Sequence, residues 1–124
     1  MNAVAQIFAV VAGLGHVGIW IMESLLFQRP AVYRIFRVRP EHVPVVQLWA
    51  FNQGWYNVFL GAGAIGGVVT LHVGDETVGR TLVLFCCACM VAAGLVLYIS
   101  ERRMWRGAMA QAAPPLLVLV ASLV

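Results

Sequence analysis

The sequence predicts an all-α fold, a single-domain integral membrane four-helix bundle, on three observations. Of its 124 residues 62% are hydrophobic and only 10% are charged, with a mean hydropathy of +0.89. A soluble domain carries about 25% charged residues, so this chain has too few polar side chains to cover a water-facing exterior. The apolar residues fall into four runs, about 3–27, 45–71, 81–100 and 107–124, each near the roughly 20 residues a spanning helix needs. All eight basic residues are arginines, and seven of them lie between runs one and two or between three and four.

The first run, Ala3 to Phe27, has no Lys or Arg in Met1–Val10 and contains His16 and Glu23, so it reads as a retained span rather than a signal peptide. After Pro30, Val32, Ile35 and Phe36 recur at helical spacing among Arg34, Arg37 and Arg39, predicting an interfacial helix over about 30–39 that contacts lipid head groups. Pro40–Glu41 then suits the opening of the second helix, with proline in the first turn and an acid near the positive end of the dipole. In the third run Cys86, Cys87 and Cys89 read as small packing residues, because positions this close on one helix are badly oriented for a disulfide. The fourth run carries Pro114 and Pro115. Eleven residues from Pro114 to Val124 would reach only about 16 Å at 1.5 Å each, so a kinked helix starting near Ala108 is expected.

The arginine asymmetry places the two basic loops in the cytoplasm and both termini outside it. Arg80, with Asp75 and Glu76, is alone on the opposite side. The net charge of +3 is accounted for by this topology and by anionic lipid, and no nucleic-acid motif is present.

Chemistry concentrates in two helices. His16 and Glu23 are seven residues apart, two helical turns, so an imidazole and a carboxyl share one face. A charge at mid-bilayer costs about 2.5–3.5 kcal/mol on insertion scales, so such groups usually face a bundle interior and often mark a site. Helix two holds Asn52, Gln53, Tyr56 and Asn57 within six residues. A seam of Asn52, Tyr56, Phe59, Gly63, Gly66 and Thr70 on that helix is expected to meet one of Ala9, Gly13, His16, Trp20 and Glu23 on helix one. Counted from the basic loop, His16 and Tyr56 fall at one depth, with Glu23, Asn52 and Gln111 nearer the cytoplasm. The expectation is a polar pocket open to the cytoplasm. His16 and Glu23 would be catalytic there, and Asn52, Gln53, Tyr56, Asn57, Trp20 and Gln111 would bind substrate. The bland alternative is that these groups only tie helices together, as interhelical hydrogen bonds do.

His16 and Glu23, the string Asn52-Gln53-Gly54-Trp55-Tyr56-Asn57-Val58-Phe59-Leu60 and the segment from Gln111 to Leu117 together resemble a bacterial family of small four-helix membrane proteins catalogued as a domain of unknown function. The resemblance runs over nearly the whole chain and implies a multi-pass protein of the bacterial inner membrane. Some members carry an epimerase label, but no catalytic residues transfer from the family. Pro115 and the three cysteines stand outside its pattern.

Three functions follow as expectations. The pocket binds a small, partly lipophilic molecule, with His16 and Glu23 moving a proton on it in an isomerisation or epimerisation that needs no cofactor and no metal. Alternatively Glu23 is the proton carrier of a small-molecule transporter working as a homo-oligomer of two copies, or the chain is an accessory membrane subunit without chemistry. The absence of Lys removes Schiff-base chemistry.

Overall fold

A computed structural model describes residues 1–124, and every regular element in it is helical: α1 (Ala3–Trp20), α2 (Pro30–Tyr33), α3 (Val43–Val73), α4 (Glu76–Ser100) and α5 (Trp105–Ala121). Local chemistry explains the ends. The Asn2 side chain accepts from the Ala5 N–H at 2.9 Å, and Asp75 accepts from the Val78 N–H at 3.0 Å. Each satisfies a donor that a helix start leaves open. Because Asp75 caps there, α4 begins at Glu76, five residues ahead of the expected 81. A short 3-10 turn, Pro40–His42, feeds α3 directly.

Three helical stretches are long and apolar enough to cross a membrane: Ala3–Leu25, Pro40–Val73 and Glu76–Ser100. The first of these is α1 continued by a π-helical turn over Ile21–Leu25. α5 has 17 residues, about 26 Å. It starts at Trp105, earlier than expected, and runs through both prolines without a break.

The interfacial helix expected over 30–39 is cut short. Only Pro30–Tyr33 is regular. Arg37 then takes a left-handed backbone with φ of 58°, and Val38 N–H bonds back to Tyr33 O at 3.1 Å, a helix-terminating arrangement. Arg39 precedes Pro40 and is held extended, as residues before proline are.

α1 packs against α3 and α5, and α4 also packs against α3 and α5, so these four close a ring of antiparallel neighbours. The core is built of small groups: Ala5, Ala9, Val83, Cys87 and Val118 at one level, and Ala12, Ala64, Cys86 and Met90 at the next. A Cβ added to Gly61 would stand 2.6 Å from Gly13 O, and one on Gly13 would stand 2.9 Å from Gly61 O. Backbone therefore touches backbone where α1 crosses α3. Larger apolar side chains, among them Ile7, Leu14, Trp49, Phe59, Phe85 and Val96, point outward.

The ring's two ends differ. At one, Asn2 Nδ2 donates to Ala121 O at 2.6 Å, Arg80 donates to Ser122 O at 3.1 Å, and the Met1 ammonium lies 3.6 Å from Glu76. His72 and Gln6 pair there at 2.7 Å. At the other end, Arg37 reaches Arg103 O at 3.4 Å and joins the two basic loops.

Candidate functional site

The α1–α3 crossing sets the site. His16, one turn beyond Gly13 minus a residue, is 2% exposed, and its Nδ1 lies 2.9 Å from Ala12 O. A carbonyl only accepts, so Nδ1 carries the hydrogen, and Nε2 of the neutral ring is a lone pair without a partner. One turn on, Trp20 Nε1–H is also buried and unpartnered. Its ring meets Trp55 edge to face at 5.3 Å, and Trp55 continues to Phe51 and Phe59 at 6.4 and 6.0 Å.

Below Trp20 the helix widens into the π-turn that carries Glu23. Extra residues of this kind inside α-helices recur at functional sites. Glu23 Oε2 accepts from Asn57 Nδ2 at 2.9 Å, and the same amide group reaches Gln53 O at 3.2 Å. Next to it Ser24 Oγ donates to Phe51 O at 2.7 Å. A Cβ on Gly54 would collide with Ser24 Oγ, so glycine at this position lets the widened turn lie against α3. Glu23 Oε1 has no hydrogen-bond partner in the chain.

Glu23 and Ser24 form one wall of a cleft of about 480 Å³ whose other side is Gln47, Leu48 and Phe51 of α3, with Gln28 at its mouth. Phe27 and Pro44, which flank the first basic loop, also line it. His16 is not among the residues that line it. The two groups expected to share a chamber are thus placed differently: the carboxyl borders open space, and the imidazole is enclosed where the helices touch.

The other expected residues divide in the same way. Asn57 is buried on the α1-facing side of α3. Asn52, Gln53 and Tyr56 are exposed on the outer side, Tyr56 by 65%, and Asn52 Nδ2 only turns back to Leu48 O at 2.9 Å. The buried seam of α3 is Ala50, Gly54, Asn57, Gly61, Ala64 and Gly67, not the one through Asn52 and Tyr56. Small residues permit the closest approach of two helices, and the glycine and alanine stripe takes the interface in place of the polar one. Gln111 is half-buried on α5 and lines neither this cleft nor the groove between α4 and α5. Arg34 and Arg39 are exposed, and Arg37 is engaged with the second basic loop. No group of three or more His, Cys, Asp or Glu is arranged to hold a metal, and the three cysteines are free thiols.

Sequence reasoning missed Ser24, Gln28 and Gln47. The available signals were a serine beside the carboxyl within an apolar run, and a glutamine one turn before Phe51.

Fold and site together define a small all-helical protein, with helices suited to crossing a membrane and one carboxyl held between two of them. Residues 10–123 match the family described as Protein of unknown function (DUF1304), and the chain belongs to that family. No curated protein and no solved structure matches it.

Proposed function

We propose that this protein is a multi-pass membrane protein that holds the polar end of a small amphiphilic molecule at Glu23. In this reading α1, α3, α4 and α5 all cross the bacterial inner membrane, the basic loops lie in the cytoplasm, and both termini lie outside. The outward-facing large apolar side chains and the segregation of arginines to one end support it. The observation that carries the ligand reading is the Glu23 carboxyl inside an apolar helix. One oxygen is fixed by Asn57, and the other is unpartnered beside a cleft of about 480 Å³, within the size range of small-molecule sites.

The ligand enters from the cytoplasmic leaflet between the π-turn and the start of α3. Its donor group bonds to Glu23 Oε1, and Ser24, Gln28 and Gln47 offer further polar contacts while Phe51 and Leu48 meet its apolar part. An isomerisation or epimerisation at this site would run on Glu23 alone, taking and returning one proton, since His16 is enclosed. The test is native mass spectrometry of the chain extracted in mild detergent. A non-phospholipid adduct is expected on the wild type and absent from Glu23→Gln, whose uncharged amide keeps the fold. Identical spectra showing phospholipid only would refute the reading.

A second reading, a proton-coupled transporter of two copies, draws on the outward stripe of Trp49, Asn52, Gln53 and Tyr56. Asn52 Nδ2 bonds only back to its own helix and Gln53 and Tyr56 make no side-chain hydrogen bond, so the same stripe on a second copy would supply donors and acceptors that hydrocarbon does not. Disulfide trapping of Tyr56→Cys in membranes tests it; a chain that stays monomeric under oxidation counts against it.

A further inference from the structure

A second opening lies on the far side of the ring from Glu23, between α4 and α5. It has a volume of about 470 Å³, and its floor is the close contact of Gly94 with Ala112, where a Cβ on Gly94 would stand 2.7 Å from the Ala112 Cβ. Leu95 on one helix and Met109 on the other form the walls, and both are largely exposed to the outside. At the basic end the groove finishes in three side chains of a different kind. The Arg102 guanidinium sits 5.4 Å from the centre of the Tyr98 ring, and Trp105 completes the rim.

The charge arrangement at that rim is one-sided. Glu101 is the nearest acid in sequence, and both its oxygens are taken by Arg103, at 2.9 Å from Nε and 2.8 Å from Nη2. Arg102 makes no salt bridge. Arg106 stands over the Trp105 ring at 5.4 Å, and Arg37 arrives from the other basic loop to bond Arg103 O. A cationic cluster whose neighbouring carboxylate, Glu101, is already paired therefore caps an apolar groove between the two helices. Aromatic residues at such a level are those that seat themselves at a membrane interface.

We infer that this groove is a binding site for one anionic phospholipid of the leaflet on the basic side, its acyl chain between Leu95 and Met109 and its phosphate on Arg102. A soluble anion would find the charge but leave the apolar walls uncovered. A zwitterionic lipid would fill the walls but bring its own cation to the arginines. Guanidinium recognises phosphate oxygens with directed, charge-assisted bonds, and that leaflet is where anionic head groups gather around basic segments. The inference rests on the membrane reading and is independent of the ligand reading at Glu23.

The experiment uses the full chain in detergent, titrated with phosphatidylglycerol or phosphatidylcholine and followed by native mass spectrometry. The wild type is expected to retain one phosphatidylglycerol in preference to phosphatidylcholine. Arg102→Gln should weaken phosphatidylglycerol retention about tenfold and leave phosphatidylcholine unchanged. Met109→Trp, which fills the groove from an exposed position without touching the Gly94 contact, should weaken retention of both, and Glu23→Gln should weaken neither. Equal retention of phosphatidylglycerol by wild type, Arg102→Gln and Met109→Trp would overturn the proposal. So would displacement of the lipid by millimolar inorganic phosphate, which would make the site one for a free anion. Carbonate extraction of cell membranes separates the two failures: a chain released by carbonate defeats the membrane reading itself, and a chain retained but without lipid preference defeats only the groove.

Discussion

Gly61→Ala should loosen the α1–α3 pair more than its single methyl suggests. The added Cβ would stand 2.6 Å from Gly13 O and 3.4 Å from His16 Cβ. The first contact is with backbone, which has no rotamer through which to yield. Ordinary contact begins at 3.4 Å, so the helices must part by up to about 0.8 Å along that line. A gap of 0.5–1 Å forfeits roughly a quarter to a half of each dispersion contact across it, and overpacking of this kind costs about 1–3 kcal/mol. One turn away, the 2.9 Å bond from Asn57 to Glu23 would stretch to about 3.7 Å under the same displacement, outside hydrogen-bonding range. The assay is unfolding in mixed micelles by increasing sodium dodecyl sulfate, followed by helical circular dichroism. Gly66→Ala is the control, since a Cβ there meets nothing within 4 Å. Gly61→Ala is expected to shift the folded-to-unfolded ratio by about tenfold, the equivalent of 1.4 kcal/mol, with Gly66→Ala neutral or slightly stabilising. Coincident unfolding curves for the two variants would refute the idea that the helices meet backbone to backbone.

Asn57→Leu should destabilise the bundle by about 1–3 kcal/mol in the same assay, because it leaves the Glu23 carboxyl without its donor; a variant as stable as wild type would show that this bond does not hold α1 to α3. His16→Ala empties a fully enclosed position and should cost about 2 kcal/mol or more, a loss that His16→Gln should partly recover if packing rather than proton transfer keeps the ring there. Asn2→Ala removes both a helix cap and the bond to Ala121 O and should lower stability by about 1 kcal/mol, read as a lower melting temperature in detergent. At the basic end, hydrogen bonds from Arg103 hold the Glu101 carboxyl well below its ordinary 4.5, at about 2. A carboxyl lowered in the folded state contributes stability that is complete above pH 4.5 and fades as pH falls from 4.5 toward 2. The melting difference between wild type and Glu101→Gln should therefore close across that window, and a difference that widens there would contradict the pairing.

The helices were legible in the chain because apolar runs of this length leave little choice of state. Their ends were less so. Asp75 capped α4 ahead of the apolar run and drew Glu76 and Arg80 into it, and the interfacial helix stopped at Tyr33, where Val38 bonds back across a left-handed Arg37. The inward face of α1 was readable in Ala9, Gly13 and His16, all buried. The inward face of α3 was not, because polarity does not mark its buried side. Small residues are what let two helices meet closely, and Gly54, Gly61 and Ala64 permit a closer approach than Asn52 and Tyr56. Asn57 falls on the small-residue stripe between Gly54 and Gly61, which is why it alone of the polar string reaches Glu23. The cleft could not be read from spacing at all, since it depends on a widened turn that α-helical periodicity does not anticipate.

That turn is a helix with one residue too many. Leu26 bonds to Ile21 five positions back, so the carboxyl at position 23 faces α3 by virtue of a register error that the chain preserves. Wound as an ordinary α-helix with every residue kept, the same stretch would carry everything after the turn about 100° further round. Glu23 would then lose Asn57, Ser24 would leave the hollow at Gly54, and the cleft would close. The direction of the one acid in this apolar helix is thus a matter of counting as well as chemistry.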